Sequence, residues 1–192
     1  NLPNREIIVY GPPKSSGTRD SFEELVLQSV FEKKAVYTDL FKKDEVANKK
    51  YKAYSEIRTD GVFVESGEND NLIVQKLTKN EAAVGIFGYS FLAENKDKVV
   101  GLSIDNVLPT VETIANSSYP VARYMYFYIK NHHSKYVPAI NQFNKLFVSE
   151  KMIGKDGVLT ELGLIPLTDD VRTKARAKVL NNEKLKAEDL KH

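Results

Sequence analysis

No cysteine occurs among the 192 residues, so disulfides and thiolate metal sites are excluded. That absence does not fix a compartment, because exported and cytosolic proteins alike can lack the residue. Long apolar runs are missing too: none approaches the roughly 18 residues that a membrane helix needs. Nor is there an excess of one charge, since 28 Lys and Arg face 26 Asp and Glu, for a formal net charge of +2. A dedicated nucleic-acid binder normally shows a strongly basic domain or stripe, and that class is disfavoured. The N-terminus, Asn1-Leu2-Pro3-Asn4-Arg5-Glu6, has no signal-peptide pattern and does not start with methionine, which fits a processed or trimmed chain. Catalytic signatures are equally scarce. There is no Gly-x-Ser-x-Gly elbow, no Gly-x-x-x-x-Gly-Lys-Ser/Thr loop and no cluster of histidines and carboxylates for a two-metal centre.

What is present is an ordinary globular composition, 42% hydrophobic. The length suits one large domain or two small ones. Its most telling stretch is Ser15-Ser16-Gly17-Thr18-Arg19-Asp20. An apolar run, Ile7-Ile8-Val9-Tyr10, precedes it, and an amphipathic run from Phe22 follows. That order reads as strand, turn, helix. A helix N-terminus offers backbone N–H groups without intrahelical partners, and its dipole favours negative charge. Two hydroxyls, a glycine and an arginine at that point make an oxyanion cradle.

Further along, Phe22, Leu25, Val26 and Val30 fall on one helical face. Ser21 with Glu24 fits a capping box, which starts that helix slightly after the loop. Residues 42–52 are lysine-rich and read as a solvated helix or loop. Residues 61–64 read as a strand, and Ser66-Gly67-Glu68-Asn69-Asp70-Asn71 as a second turn, with Asn71 or Asp70 capping a helix behind it. Residues 83–89 read as a buried strand broken by glycines, residues 99–104 as another strand, and Pro109–Glu112 as a helix start. Tyr124, Tyr126 and Tyr128 alternate with Met125, Phe127 and Ile129. This is expected to be hinge or core packing rather than a ligand platform. Ile140, Phe143 and Phe147 repeat at helical spacing, and the charged tail beyond Asp170 reads as a solvated helix carrying Arg172, Lys174, Arg176 and Lys178. His132-His133 has no third ligand at chelating spacing and reads as a surface turn. Strands alternating with helices indicate an α/β architecture, in which ligands sit beyond the carboxyl ends of parallel strands.

Five ordered blocks carry a resemblance: Tyr10-Gly11-Pro12-Pro13, Ser16 to Phe22, Glu68 to Val74, Gly85 to Phe91, and Tyr119-Pro120-Val121. Over residues 5–170 the chain resembles the phosphate-binding proteins of bacterial high-affinity phosphate ABC importers. The resemblance implies a type II periplasmic-binding-protein fold, seen here as the second lobe plus the C-terminal part of the first. Residues 1–118 would be mainly the second lobe, and 119–192 would return through the hinge to the first. It also implies inorganic phosphate as ligand, a membrane permease as partner, no cofactor, no metal, no nucleic acid, no catalysis and a periplasmic or extracytoplasmic location. Ser16, Gly17 and Thr18 would hold phosphate oxygens, and Arg19 would add a charge-assisted bond of roughly 1.5–3 kcal/mol.

Two departures accompany the resemblance. Many members carry an arginine just before the Ser-Gly-Thr, where this chain has Pro12-Pro13-Lys14; Arg19 is expected to take that role. The usual N-terminal segment, with its acidic proton acceptor, has no counterpart, which fits a truncated relative, a natural fragment or a proteolytic product. The plainer reading of Ser16–Arg19 is a loop and helix cap; the resemblance favours the anion site. For Ser66, Gly67 and Asn71, simple capping outweighs a cleft-facing role. Asp20 either orients Arg19 or serves the helix dipole. The competing functions are a non-binding structural or interaction remnant of the fold and, less favoured, a phosphate-ester hydrolase.

Overall fold

The computed structural model describes residues 4–35, 39 and 53–187. The lysine-rich run 42–52 lies outside the described residues. The chain divides into two compact units, Asn1–Leu108 and Pro109–His192.

The first unit is built on a three-stranded parallel sheet with β1 (Val9–Gly11) at its centre, β2 (Phe63–Glu65) on one side and β3 (Val84–Gly85) on the other. Val9 pairs with Phe63 and with Val84. Parallel neighbours need long crossovers, and helices supply them. Helix α1 follows β1; it runs as Gly17–Phe22, continues through π turns at Glu23–Gln28 and closes as Ser29–Phe31. Ser16 is extended at φ −85°, ψ 134°, and its hydroxyl accepts from the Thr18 N–H at 3.2 Å. The helix therefore starts at Gly17, not after Ser21. Ser21 lies inside it and returns its hydroxyl to the Gly17 carbonyl at 2.8 Å. Phe22, Leu25 and Val26 are half-buried as expected, but Val30 is 53% exposed. The π turns hold more residues each, so they shift the phase and turn position 30 off the apolar face.

Helix α2 (Asp70–Lys79) follows β2. Its cap is Asn69, whose Oδ1 accepts from the Asn71 N–H at 3.0 Å, which corrects the expected cap at Asn71 or Asp70. Asn69 is the last residue with extended backbone, and only such a residue can turn its side chain back on the first helical N–H groups. Helix α2 packs on β1 and β3 through Ile73 and Val74, both buried. A Cβ at Gly85 would stand 2.7 Å from Leu77 and 3.0 Å from Ile73, so glycine is what lets strand and helix meet. Burying Ile73 completely contributes about 1.5–3 kcal/mol.

Strand β3 is shorter than the expected 83–89. Its ladder to β1 closes with Ile86 N–H to the Tyr10 carbonyl at 2.9 Å, and Gly88 already caps α3 (Tyr89–Glu94). Residues 99–104 form no strand. Asp105 and Asn106 adopt φ of 49° and 64°, folding the chain back into one isolated bridge between Ile104 and Val107.

The second unit is helical among the described residues. Helix α4 (Val111–Ala115) starts where expected, with Thr110 and Thr113 capping each other at 3.1 and 2.9 Å. The alternating stretch 124–129 joins no sheet, and Met125 and Tyr128 are 81% and 70% exposed. Core packing is met only in part: Phe127 meets Phe147 edge-on at 4.7 Å, and Phe143 stacks on Phe147 at 5.6 Å. His132 and His133 lie on an exposed 3₁₀ turn, Asn131–Lys135. Helices α5 (Ala139–Phe147), α6 (Glu150–Ile153), α7 (Val158–Glu161) and α8 (Asp169–Leu180) complete the unit around Val148. Arg172 of α8 is buried rather than solvated. It donates to Glu150 at 3.1 Å, Asp169 at 2.8 Å and the Leu167 carbonyl at 3.0 Å. Arg176 joins it on Glu150 at 2.6 Å.

Candidate functional site

Three parallel strands end on one edge of the sheet, and each is followed by a loop and a helix N-terminus. That edge is where the loop around Ser16 lies. Cross-links knit the three loops together. The Ser66 N–H donates to the Gly11 carbonyl at 2.9 Å, Ser15 Oγ to Glu68 Oε1 at 2.6 Å, and the Gly88 N–H to Asp70 Oδ2 at 2.9 Å.

Ser16, Gly17 and Thr18 form the mouth of α1. Gly17 is exposed, and a Cβ added there would meet nothing within 4 Å. The backbone at Gly17 is thus open to close approach by a ligand. Ser16 Oγ accepts from Thr18, which leaves its own proton to donate elsewhere.

Arg19 does not extend into that space. It is 4% exposed, with Nε 2.6 Å from Glu23 Oε1 and Nη1 3.3 Å from the Pro12 carbonyl. Glu65 lies 3.7 Å from Nη1, and the Phe63 ring lies 4.9 Å beneath the guanidinium. Arg19 is thereby a clamp between the end of β1 and the start of α1. Glycine at position 11 makes room for the Phe63 ring beneath it, because a Cβ there would strike that ring at 2.5 Å.

Asp20 is exposed on the first turn of α1, where a negative charge suits the helix dipole. Ser66 is buried, donates to the Val64 carbonyl at 3.1 Å and accepts from Lys76 Nζ at 3.0 Å. Lys76 also lies 5.3 Å over the Tyr10 ring. Gly67 makes the turn at φ +85°, and Asn71 is exposed as the second residue of α2. The structure thus gathers Ser16–Arg19 and Ser66 at the same strand ends, with Asn71 exposed in the first turn of α2.

Sequence reasoning missed Glu23, Glu68 and Lys76, and read Asp70 only as a cap. The i,i+4 spacing of Arg19 and Glu23 was a readable signal. Glu68 meeting Ser15 across 53 residues left none. Among the described residues no group of three His, Asp or Glu could hold a metal ion, and no helix is long and apolar enough to cross a membrane.

A parallel sheet with helix mouths gathered at its strand ends is the arrangement in which α/β proteins hold ligands. Residues 1–151 match the PBP superfamily domain, and the chain belongs to that superfamily. It is 26% identical over 189 residues to Protein SphX of Synechococcus elongatus, covering 95% of this chain and 46% of that protein. To the phosphate-binding protein PstS of Staphylococcus haemolyticus it is 28% identical over 154 residues, covering 78% of this chain and 39% of the relative. The crystal structure of PstS from Borrelia burgdorferi superposes with a TM-score of 0.54 at 22% identity, over 86% of this chain and 55% of that one. The chain therefore spans less than half the length of these curated relatives.

Proposed function

We propose that this chain holds inorganic phosphate as part of an extracytoplasmic solute-binding protein that delivers the anion to the permease of an ABC importer. One observation carries the reading: Ser16-Gly17-Thr18 opens a helix at the carboxyl end of the central parallel strand, with unobstructed space over Gly17. In this proposal the Ser16 and Thr18 hydroxyls and the backbone N–H groups of the first turn donate to phosphate oxygens. Arg19 acts as a positioning residue that holds the loop. Residues 1–118 would serve as the anion-loop lobe, and residues 119–192 would return towards the other lobe. No step of bond making or breaking is assigned.

Calorimetry of the chain with phosphate and with sulfate tests this. Saturable phosphate binding is expected. Gly17→Val should fold normally, because its Cβ has room, yet weaken phosphate roughly tenfold or more, because its side chain occupies the space a phosphate needs to reach the first-turn donors. No heat with phosphate at millimolar concentration would overturn the proposal.

A second reading, an interaction module that has kept the fold without the ligand, draws on a different observation. Glu68 is hydrogen-bonded to Ser15 beside the loop, and Glu65 lies against Arg19, so carboxylates crowd the cradle. Silence in calorimetry that persists in Glu68→Gln would favour it.

A further inference from the structure

Lys76 stands in the second turn of α2 and is half-buried. Its side chain reaches the end of β2, where Nζ donates to Ser66 Oγ at 3.0 Å and lies 5.3 Å over the Tyr10 ring. Both partners are neutral. Arg19 differs, because its charge is met by Glu23 and Glu65. Among the described residues no carboxylate pairs with Lys76. A neutral donor would hold a serine hydroxyl too, and drawing a charge out of water costs free energy. A cation kept on neutral partners suits a place where an anion arrives.

Ser66 carries this contact to the loop around Ser16. It is buried, its N–H donates to the Gly11 carbonyl at 2.9 Å, and its hydroxyl donates to the Val64 carbonyl at 3.1 Å. Gly67 then turns the chain at φ +85°, so Ser66 is the last residue held before the turn. Beyond it, Glu68 accepts from Ser15 Oγ at 2.6 Å. The loop 66–69 thus meets the loop 12–16 at both of its ends, Gly11 and Ser15. Ser16-Gly17-Thr18 follows directly on the second contact.

We propose that Lys76 is a positioning residue for the anion loop. Acting through Ser66, it fixes the loop 66–69, and with it the backbone that presents Ser16-Gly17-Thr18. The effect on affinity rests on the phosphate reading above; the effect on the loop does not.

Calorimetry with phosphate, and amide exchange without it, test this on the same variants. Lys76→Met keeps the aliphatic stem over Tyr10 and removes the ammonium. It should weaken phosphate roughly tenfold. Exchange at the Ser66 and Ser16 amides should quicken roughly tenfold, while the Val84 amide, on the Ile8 carbonyl, keeps its rate. Lys76→Arg returns the cation and a donor, and should restore both readouts to within about threefold. Ser66→Ala should match Lys76→Met. The double variant should lose no more than either alone, because both remove the same contact. Losses that simply add would overturn the proposal, and so would Ser66 and Ser16 amide rates unchanged in Lys76→Met. Phosphate bound as tightly by Lys76→Met as by the unsubstituted chain would overturn it as well. If the unsubstituted chain gives no heat with phosphate, the phosphate reading falls, and the amide rates alone decide the role of Lys76.

Discussion

Arg19 and Arg172 invite comparison, one from each unit. Both are buried, and both lie near the start of a helix. Each reaches back to a carbonyl of the preceding loop, Pro12 for Arg19 and Leu167 for Arg172, and each pairs with two carboxylates. The difference is in the partners. Glu23 is as buried as Arg19, with side-chain exposures of 8% and 5%. Glu150 and Asp169, by contrast, are 53% and 67% exposed. One carboxylate of the Arg19 clamp is therefore internal, while Glu65, at 56% exposed, and both partners of Arg172 lie at the surface. The Arg19 clamp sets the loop that carries the candidate site; the Arg172 clamp attaches a helix.

Breaking the two clamps should separate them by magnitude. Arg19→Ala leaves the Glu23 carboxylate buried without a counter-charge, and we expect a loss of about 3–5 kcal/mol in urea unfolding. A loss below about 1 kcal/mol would show that Glu23 escapes to water. Arg172→Ala leaves its carboxylates to solvent, and the expected loss is about 1–2 kcal/mol. Ser16→Ala removes the cap of α1 and should cost about 1 kcal/mol, read as a lower helical signal and midpoint.

The pH dependence sharpens the contrast. Asp169 is held below the ordinary carboxylate range, first by the hydrogen bond from Arg172 and then by that from Lys155. A carboxyl group with a depressed folded value stabilises above its unfolded pKa, and this contribution is lost as pH falls through the folded value. Melting followed at pH 5, 4 and 3 should therefore show α8 losing stability below about pH 4, the unfolded carboxylate value. Asp169→Asn should flatten that decline, and an unchanged profile would remove Asp169 from the clamp. The smallest effect is expected at the surface. Ser15→Ala breaks an exposed bond to Glu68 and should change stability by no more than about 0.5 kcal/mol.

Much of the first unit was legible. β1, β2 and α2 lie close to where periodicity and turn residues place them, because apolar spacing and caps are local signals. Expectation failed at β3 and at residues 99–104. There, apolar runs met glycine or a φ-positive turn, and run length alone does not say where a ladder stops. The loop at Ser15–Arg19 lies between strand and helix, as expected. The role of its arginine was not legible, since a guanidinium suits phosphate and carboxylate equally. Only the position of Glu23 and the Pro12 carbonyl decides between them.

By itself the sequence determined the succession of strand, hydroxyl-rich turn and helix at residues 9–22 and the two-faced apolar stretch at 124–129. Those properties depend on neighbours a few residues apart. Tertiary structure alone decided that Arg19 turns inward, that Glu68 faces Ser15 across 53 residues, and that Arg172 is buried against Glu150 across 22. Such pairings are set by which surfaces the sheet and helices bring together, and charge complementarity admits many partners until packing chooses one.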